Sequence, residues 1–185
     1  SKFFDRNDIL PEIGPYRGIY MTRAVDDKIR AKSQHGGTVT ALMKLAFEEG
    51  FIDAAVLTQS DGGLNPEGTL ITTPEDVAKC SGSSFQISPT LSVLNQALKD
   101  NKYKKIGVVG TPCKNLAVYK MKLNLIETNE ENANKIGLVI GLFCGWGLDW
   151  RGEEKAVSDR VAIGDVEHID IPPSKYKVMQ IKNKT

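Results

Sequence analysis

The chain has 185 residues, of which 41% are hydrophobic and 25% are charged, and its formal net charge is +1. These proportions are typical of one globular domain with a single core, and they exclude wholesale disorder. The near-zero charge gives no general attraction to nucleic acid. No apolar run approaches the roughly 20 residues that are needed to cross a bilayer.

The three cysteines, Cys80, Cys113 and Cys144, are widely spaced and odd in number. This pattern is unsuited to a disulfide framework and predicts a reducing, cytoplasmic location. Because no Cys-x-x-Cys pair occurs, the chain encodes neither a zinc ribbon nor a thioredoxin motif. Three cysteines also cannot supply the four thiolates of a complete iron–sulfur site.

The predicted elements begin after a polar, proline-containing lead-in over residues 1–15. The run from Tyr16 to Ala24 alternates and carries aromatic and β-branched residues, which predicts the first strand. From Thr38 onwards, apolar residues recur at intervals of three and four. This spacing predicts an amphipathic helix that is closed by Gly50.

Further along the chain, short apolar runs alternate with helical segments. This alternation predicts an α/β fold, in which a single domain has a mainly parallel or mixed β-sheet flanked by helices. Residues 172–185 form a basic tail with no clear structural ending. Strands are predicted over 53–58, 69–72, 104–110 and 136–144, helices from Thr73, Ser88–Pro89 and Thr111, and a polar connection over 129–134.

The turn Ser33-Gln34-His35-Gly36-Gly37-Thr38 directly precedes the first predicted long helix. Paired glycines permit main-chain angles that are closed to other residues, and the amides of a first helical turn attract phosphate or carboxylate. Arg30 and Lys32 would add positive charge there, which favours a phosphate-bearing ligand over an uncharged one. From these residues alone, an ordinary capped loop is the favoured interpretation.

Cys113 follows Gly110-Thr111-Pro112, where a predicted strand ends and a predicted helix begins. A helix N-terminus lowers a thiol pKa, so a thiolate nucleophile or metal ligand is reasonable there, although an inert buried thiol is favoured. Burial explains Cys144 at the end of its strand, and Cys80 and His168 have no partner visible in the sequence. Neither Gly-x-Gly-x-x-Gly nor a Walker-type lysine loop occurs, which disfavours the common Rossmann and NTPase folds.

Three stretches together indicate a protein family more specifically than any one of them does alone. They are Ser33 to Thr38, Val108 to Cys113, and Gly141 to Cys144. Their order and spacing resemble those of the β subunits of coenzyme F420 hydrogenase and formate dehydrogenase. The resemblance implies a flavin-binding domain over residues 16–171. Because members of that family usually continue with further cysteines, it also implies that this chain is truncated or is a short relative.

The resemblance implies a flavoprotein that carries FAD and one or more 4Fe-4S clusters. Such proteins pass hydride between FAD and the 8-hydroxy-5-deazaflavin coenzyme F420, and electrons between FAD and the clusters, within hydrogenase or dehydrogenase complexes. Cys113 and Cys144 match the family's cysteine motifs and would ligate a cluster that other ligands complete. The flavin pocket would be formed by Ser33, Gln34, His35, Gly36, Gly37, Thr38, Gly82, Ser83, Ser84, Gly110, Thr111 and Pro112.

Two other functions stay open on the sequence. One is a non-catalytic assembly protein, a relative that binds partner subunits but has lost its redox centres. The other is a thiol enzyme that uses Cys113 as its nucleophile. In the flavoprotein interpretation, by contrast, no side chain needs to act as a nucleophile.

Overall fold

The computed structural model describes residues 9, 10, 14–62, 64–123, 130–145, 147–172 and 178–184. Most of the predicted lead-in, and residues 173–177 and 185 of the predicted tail, lie outside the described residues. The helices are α1 Asp27–Lys32, α2 Thr38–Glu48, α3 Thr90–Lys99, α4 Pro112–Leu123, α5 Glu130–Asn134 and α6 Trp150–Ser158. The strands are β1 Ile9–Leu10, β2 Gly14–Pro15, β3 Ala54–Asp61, β4 Leu64–Ile71, β5 Ile106–Gly110, β6 Ile136–Gly141, β7 Val166–Asp170 and β8 Gln180–Asn183.

A four-stranded sheet in the order β4-β3-β5-β6 forms the centre of the fold. Strand β5 runs parallel to both β3 and β6, whereas β4 returns antiparallel to β3 as a hairpin. The helical connections between parallel strands lie against the sheet, as such crossovers require. The prediction of one α/β domain with a mixed sheet flanked by helices is therefore confirmed.

Alternate residues of β3 point to opposite faces of the sheet, as a strand's two-residue period dictates. On one face, Ala54 and Val56 pack with Leu94 and Leu98 of α3 in the larger core cluster. On the other face, Ala55 and Leu57 share a cluster with Met43 of α2. Full burial of a side chain as large as Leu94 contributes about 2 kcal/mol.

Helix α2 forms where the apolar spacing predicts it. Gly37 stands at its N-cap with a φ of +71°, and Gly50, just beyond the C-cap, has a φ of +67°. Only a residue without a Cβ adopts these left-handed angles readily, so the two glycines define the ends of the helix. Met43 and Ala46 are its buried residues.

The strand predicted from Tyr16 to Ala24 is wrong, because the structure has no strand within that segment. Its apolar residues Ile19, Tyr20 and Met21 are 73%, 81% and 103% exposed. A strand is stabilised by a hydrogen-bonded partner, and alternation alone does not provide one. The segment instead ends with the amide of Ala24 donating to the Gly36 carbonyl over 2.7 Å.

Several later elements also differ from the prediction. The helix expected from Thr73 is a 3-10 helix over Asp76–Cys80, and the polar connection before β6 contains the short helix α5. Helix α6 and the antiparallel pair β7–β8 were not predicted. Strand β8 lies within the segment that was expected to be a basic tail, and the domain boundary at residue 171 stays a prediction.

Candidate functional site

A cavity of about 460 Å³ opens at the carboxyl ends of β3 and β5. Leu57, Thr58 and Ser60 line it from β3, and Val109 and Gly110 line it from β5. The turn before α2 and the loop that follows the 3-10 helix complete its walls. Ligands of open α/β sheets bind at this end of the parallel strands, which makes the cavity the candidate site.

Most of the residues predicted to form a flavin pocket lie together in this cavity. The residues from Ser33 to Thr38, from Gly82 to Ser84, and Gly110 and Thr111 all line it. Pro112 does not line it, because α4 begins at this residue and its side chain is exposed. Residues that are distant in sequence therefore share one cavity, although their role in binding stays a prediction.

The N-terminus of α2 faces the cavity without a side-chain cap. The N-cap residue is Gly37, which has no side chain that could cap the helix. The first turn of α2 also contains no acidic residue. Thr38, Val39 and Thr40 of this first turn all line the cavity. Their amides lack intrahelical acceptors, as all first-turn amides do, so this end of the cavity suits an anion.

Gly37 cannot be replaced here without strain. A Cβ at this position would lie 2.9 Å from Cγ2 of Ile29 and 3.0 Å from Oγ of Ser33, and the φ of +71° is itself unfavourable for other residues. The glycine therefore holds the turn tightly against α1 while keeping its main chain open to the cavity.

Gln34 joins three segments that are far apart in the sequence. The hydroxyl of Ser83 donates to its Oε1, and its own Nε2 donates to Oδ1 of Asp170 over 2.5 Å. The loop over residues 82–84 is thereby held against the turn before α2, and both are tied to strand β7. This network fixes the relative positions of two walls of the cavity.

Lys114 contributes a positive charge to the cavity, and the sequence reasoning missed it. Its Nζ donates to Oγ of Ser88 over 2.6 Å, and that oxygen lies 2.8 Å from Oγ1 of Thr58. Burial lowers the pKa of Lys114, because desolvation disfavours the charged amine. A lysine in the first turn of a helix that follows a glycine-ended strand was the available signal.

The positive charge expected from Arg30 and Lys32 does not reach this site. The guanidinium of Arg30 pairs with Asp27 and donates to the carbonyls of Ala24 and Val25 over 2.6 and 2.8 Å. Neither Arg30 nor Lys32 lines the cavity. The expectation fails because Arg30 is used to hold the chain that precedes α1.

The three cysteines lie in different environments and form no disulfide. Cys113 is exposed rather than buried, and the hydroxyl of Thr111, 3.3 Å from its sulfur, lowers its pKa. Burial raises the pKa of Cys80, which lines the cavity, to about 11. Cys144 is also exposed, because β6 ends three residues before it at Gly141. The burial expected for Cys144 is therefore wrong.

The described residues do not form a metal centre by themselves. Within them, no three histidine, cysteine, aspartate or glutamate side chains come together as ligands would. The 4Fe-4S cluster implied by the resemblance therefore does not fit this part of the chain on its own. Across the same residues, every helix is too short or too polar to cross a membrane.

A buried carboxylate lies near the cavity wall. Glu153 of α6 is 3% exposed, and neither of its carboxylate oxygens has a hydrogen bond of good geometry among the described residues. Burial raises the pKa of Glu153, an effect that the neighbouring Gln86 side chain opposes. Gln86 also lines the cavity, so the same side chain contacts both Glu153 and the site.

Comparison with known proteins identifies the family. Residues 19–95 match the model described as "Coenzyme F420 hydrogenase/dehydrogenase, beta subunit N-term", and residues 103–185 match the model for the C terminus of the same subunit. Together the two matches extend over nearly the whole chain and include every element that lines the cavity.

Individual relatives agree with the family models. The coenzyme F420 hydrogenase subunit beta of Methanosarcina barkeri is 33% identical over 171 residues, which cover 89% of this chain and 58% of the relative. The corresponding subunit of Methanococcus voltae is 30% identical, with 89% and 59% covered. The chain thus spans less than two thirds of the length of these relatives.

A solved structure supports the same assignment. A chain of the F420-reducing NiFe hydrogenase complex from Methanosarcina barkeri is 30% identical and superposes with a TM-score of 0.77, covering 88% of this chain and 55% of that one. The fold therefore agrees with the family that the sequence motifs indicate. This chain belongs to the coenzyme F420 hydrogenase/dehydrogenase beta subunit family.

Proposed function

We propose that this chain is the flavin-binding part of a coenzyme F420-dependent oxidoreductase subunit, and that FAD occupies the cavity. The observation that carries this proposal is the chemistry of the cavity lining. Serine and threonine hydroxyls, two glycine-containing turns and one lysine line it, and no aspartate or glutamate does. Such a lining accepts a phosphate-bearing ligand and does not repel it.

The chain's own residues would divide the binding task between two ends of the cavity. The uncapped first turn of α2 would donate amide hydrogen bonds to phosphate, and Gly37 would let the phosphate approach the main chain. Leu57, Val109 and Leu142 give the cavity apolar surface against which a flavin ring would pack and exclude water. When bound, FAD interconverts two-electron hydride transfer and one-electron steps.

Coenzyme F420 is the proposed hydride partner because several relatives are named for their dependence on it. Curated relatives include F420 hydrogenase subunits and an F420-dependent formate dehydrogenase subunit. By the same reasoning, the natural partners would be other redox subunits of a hydrogenase or dehydrogenase complex. Because the described residues gather no cluster ligands, any 4Fe-4S cluster would need ligands from elsewhere. Cysteines that form no disulfide favour a cytoplasmic location.

Anaerobic titration of the purified chain with FAD tests the proposal. Binding should be saturable, with one FAD per chain, and the reduced flavoprotein should reduce added coenzyme F420 in a stopped-flow experiment. Failure of the chain to bind FAD would contradict the proposal and favour the non-catalytic assembly relative. The Cys113→Ser variant tests the remaining candidate, a thiol enzyme that uses Cys113. A thiol enzyme would lose its activity, whereas the flavoprotein should retain flavin binding and hydride transfer.

A further inference from the structure

Lys114 is a cation inside the candidate cavity, and among the described residues it has no carboxylate partner. It is half-buried and lines the cavity, yet none of the ion pairs among the described residues involves it. The cavity lining holds no aspartate or glutamate that could serve as its partner. Withdrawal of this cation from water is unfavourable and lowers the pKa of Lys114, an effect that the neighbouring Cys113 thiol opposes when it is ionised.

The position of the amine is nevertheless fixed. Its hydrogen bond to Ser88, a residue only 4% exposed, holds Nζ at the wall formed by β3 and the segment that precedes α3. Ser88 is itself held by Thr58, so the three polar groups form a short chain that ends at Lys114. An ammonium group has three donors, and one hydrogen bond to Ser88 leaves donors for a ligand.

A purely structural role explains this arrangement poorly. A lysine that served only to satisfy Ser88 would bring an uncompensated charge into the interior for one neutral hydrogen bond. Other lysines that donate to main-chain carbonyls do so outside the cavity, as Lys105 does to Gly50 and Lys135 does to Leu98. The charge of Lys114 is therefore better explained by something that enters the cavity.

We propose that Lys114 is a cofactor-binding residue that supplies the counter-charge for an anionic group of the bound cofactor, at a subsite separate from the N-terminus of α2. For the identity of the cofactor, this inference rests on the proposed function. Two sources of negative charge share this chemistry. One is a phosphate of FAD, which is charged in every redox state, and the other is the reduced flavin ring, which carries one negative charge.

Three variants and three probes test the inference. Lys114→Met removes the charge and keeps most of the side-chain length, and Lys114→Arg keeps the charge. Lys120→Met is the matched control, because Lys120 is exposed on the same helix outside the cavity. FAD, ADP and riboflavin are titrated against each protein, and the flavin midpoint potential is measured.

If the charge faces phosphate, Lys114→Met should weaken the binding of FAD and of ADP about tenfold or more and leave riboflavin binding unchanged. If it faces the reduced ring, oxidised FAD should bind as before. Reduced FAD should then bind about tenfold more weakly, which lowers the midpoint potential by about 30 mV. In both cases Lys114→Arg should retain much of the affinity or potential that Lys114→Met loses. Lys120→Met should behave as the unaltered chain does.

Two results would overturn the inference. One is unchanged affinity and potential in Lys114→Met, and the other is an equal loss for FAD and riboflavin with an unchanged potential, which would indicate a role in shape alone. Failure of the proposed function is distinguishable, since the unaltered chain would then bind no FAD. Even then, ADP binding that depends on Lys114 would support the anion subsite. If the unaltered chain bound neither FAD nor ADP, the subsite would be rejected.

Discussion

The two ends of the parallel strands β3 and β5 are finished in different ways. At the amino end, the carboxylate of Asp53 accepts hydrogen bonds from the amides of Lys104 and Lys105 over 2.8 and 3.0 Å. The amide of Asp53 in turn donates to the Lys105 carbonyl, and the Lys105 amine donates to Gly50. At this end, the chain meets its own hydrogen-bonding needs.

At the carboxyl end, the same two strands lead into a cavity. The α2 N-terminus has no side-chain cap, and Lys114 has no carboxylate partner among the described residues. Because both ends belong to the same strands, the difference reflects what each end is for. The amino end stabilises the fold, whereas the carboxyl end leaves polar groups available to a ligand.

Two glycines with similar backbone angles allow this contrast to be tested, and here the largest effect is expected. Gly37 at the cavity and Gly50 at the other end of α2 have φ values of +71° and +67°. A Cβ at Gly37 meets Ile29 within 2.9 Å, whereas a Cβ at Gly50 has nothing within 4 Å. Gly37→Val should weaken FAD binding about a hundredfold, because amide hydrogen bonds to phosphate are lost.

Gly50→Val is the matched control, since it imposes comparable backbone strain away from the cavity. It should reduce the free energy of unfolding by about 1 to 2 kcal/mol and leave FAD affinity unchanged. Where Gly37→Val does not fold, Gly37→Ala measures the same effect at a smaller steric cost. Equal FAD affinities for the Gly37 and Gly50 variants would contradict the placement of the phosphate at α2.

The thiols of Cys113 and Cys80 sharpen the description of the carboxyl end. The Thr111 hydroxyl lowers the pKa of Cys113, whose side chain is exposed, so more of it is thiolate at pH 8 than of an ordinary thiol. The pKa of Cys80 is raised to about 11 by burial, so only about one thiol in a thousand is ionised at that pH. Iodoacetamide should therefore alkylate Cys113 at least about tenfold faster.

Peptide mapping by mass spectrometry measures the two rates separately. Addition of FAD should slow alkylation of Cys80, which lines the cavity, and should leave Cys113 unaffected, which does not line it. Raising the pH towards 11 should narrow the difference, because the Cys80 thiol then ionises. If FAD protected Cys113 and not Cys80 from alkylation, the result would contradict the placement of FAD in the proposed cavity.

The helix and the strand that are defined by short, continuous stretches of sequence could be predicted from local patterns. The periodicity of α2 and the glycines at its ends are contained in one segment, so the helix and its open N-terminus could be predicted. Strand β5 was recognised because a continuous apolar run ends in Gly110. The mistaken strand before Ala24 had alternation but no partner, and pairing is not a local property.

The remainder of the site depends on contacts across the chain. Lys114 and Ser88 are separated by 26 positions, and Gln34 and Asp170 by 136. Neither pair has a sequence motif, because each forms only when the sheet brings its elements together. The resemblance to a family predicted which segments gather around the cavity, but it did not predict the lysine that places a charge there.

The smallest effect is expected at the amino end. Asp53→Ala removes the acceptor for the amides of Lys104 and Lys105, and should lower the free energy of unfolding by about 1 kcal/mol, as measured by urea denaturation. The loss is modest because Asp53 is exposed, so water replaces the carboxylate. Asp53→Asn, which keeps one acceptor oxygen, should lose about half as much. FAD affinity should be unchanged in both variants, since this end contributes nothing to the cavity. A parallel loss of affinity would mean that the two ends of the strands are energetically coupled, and that the carboxyl end relies on the amino end for its shape.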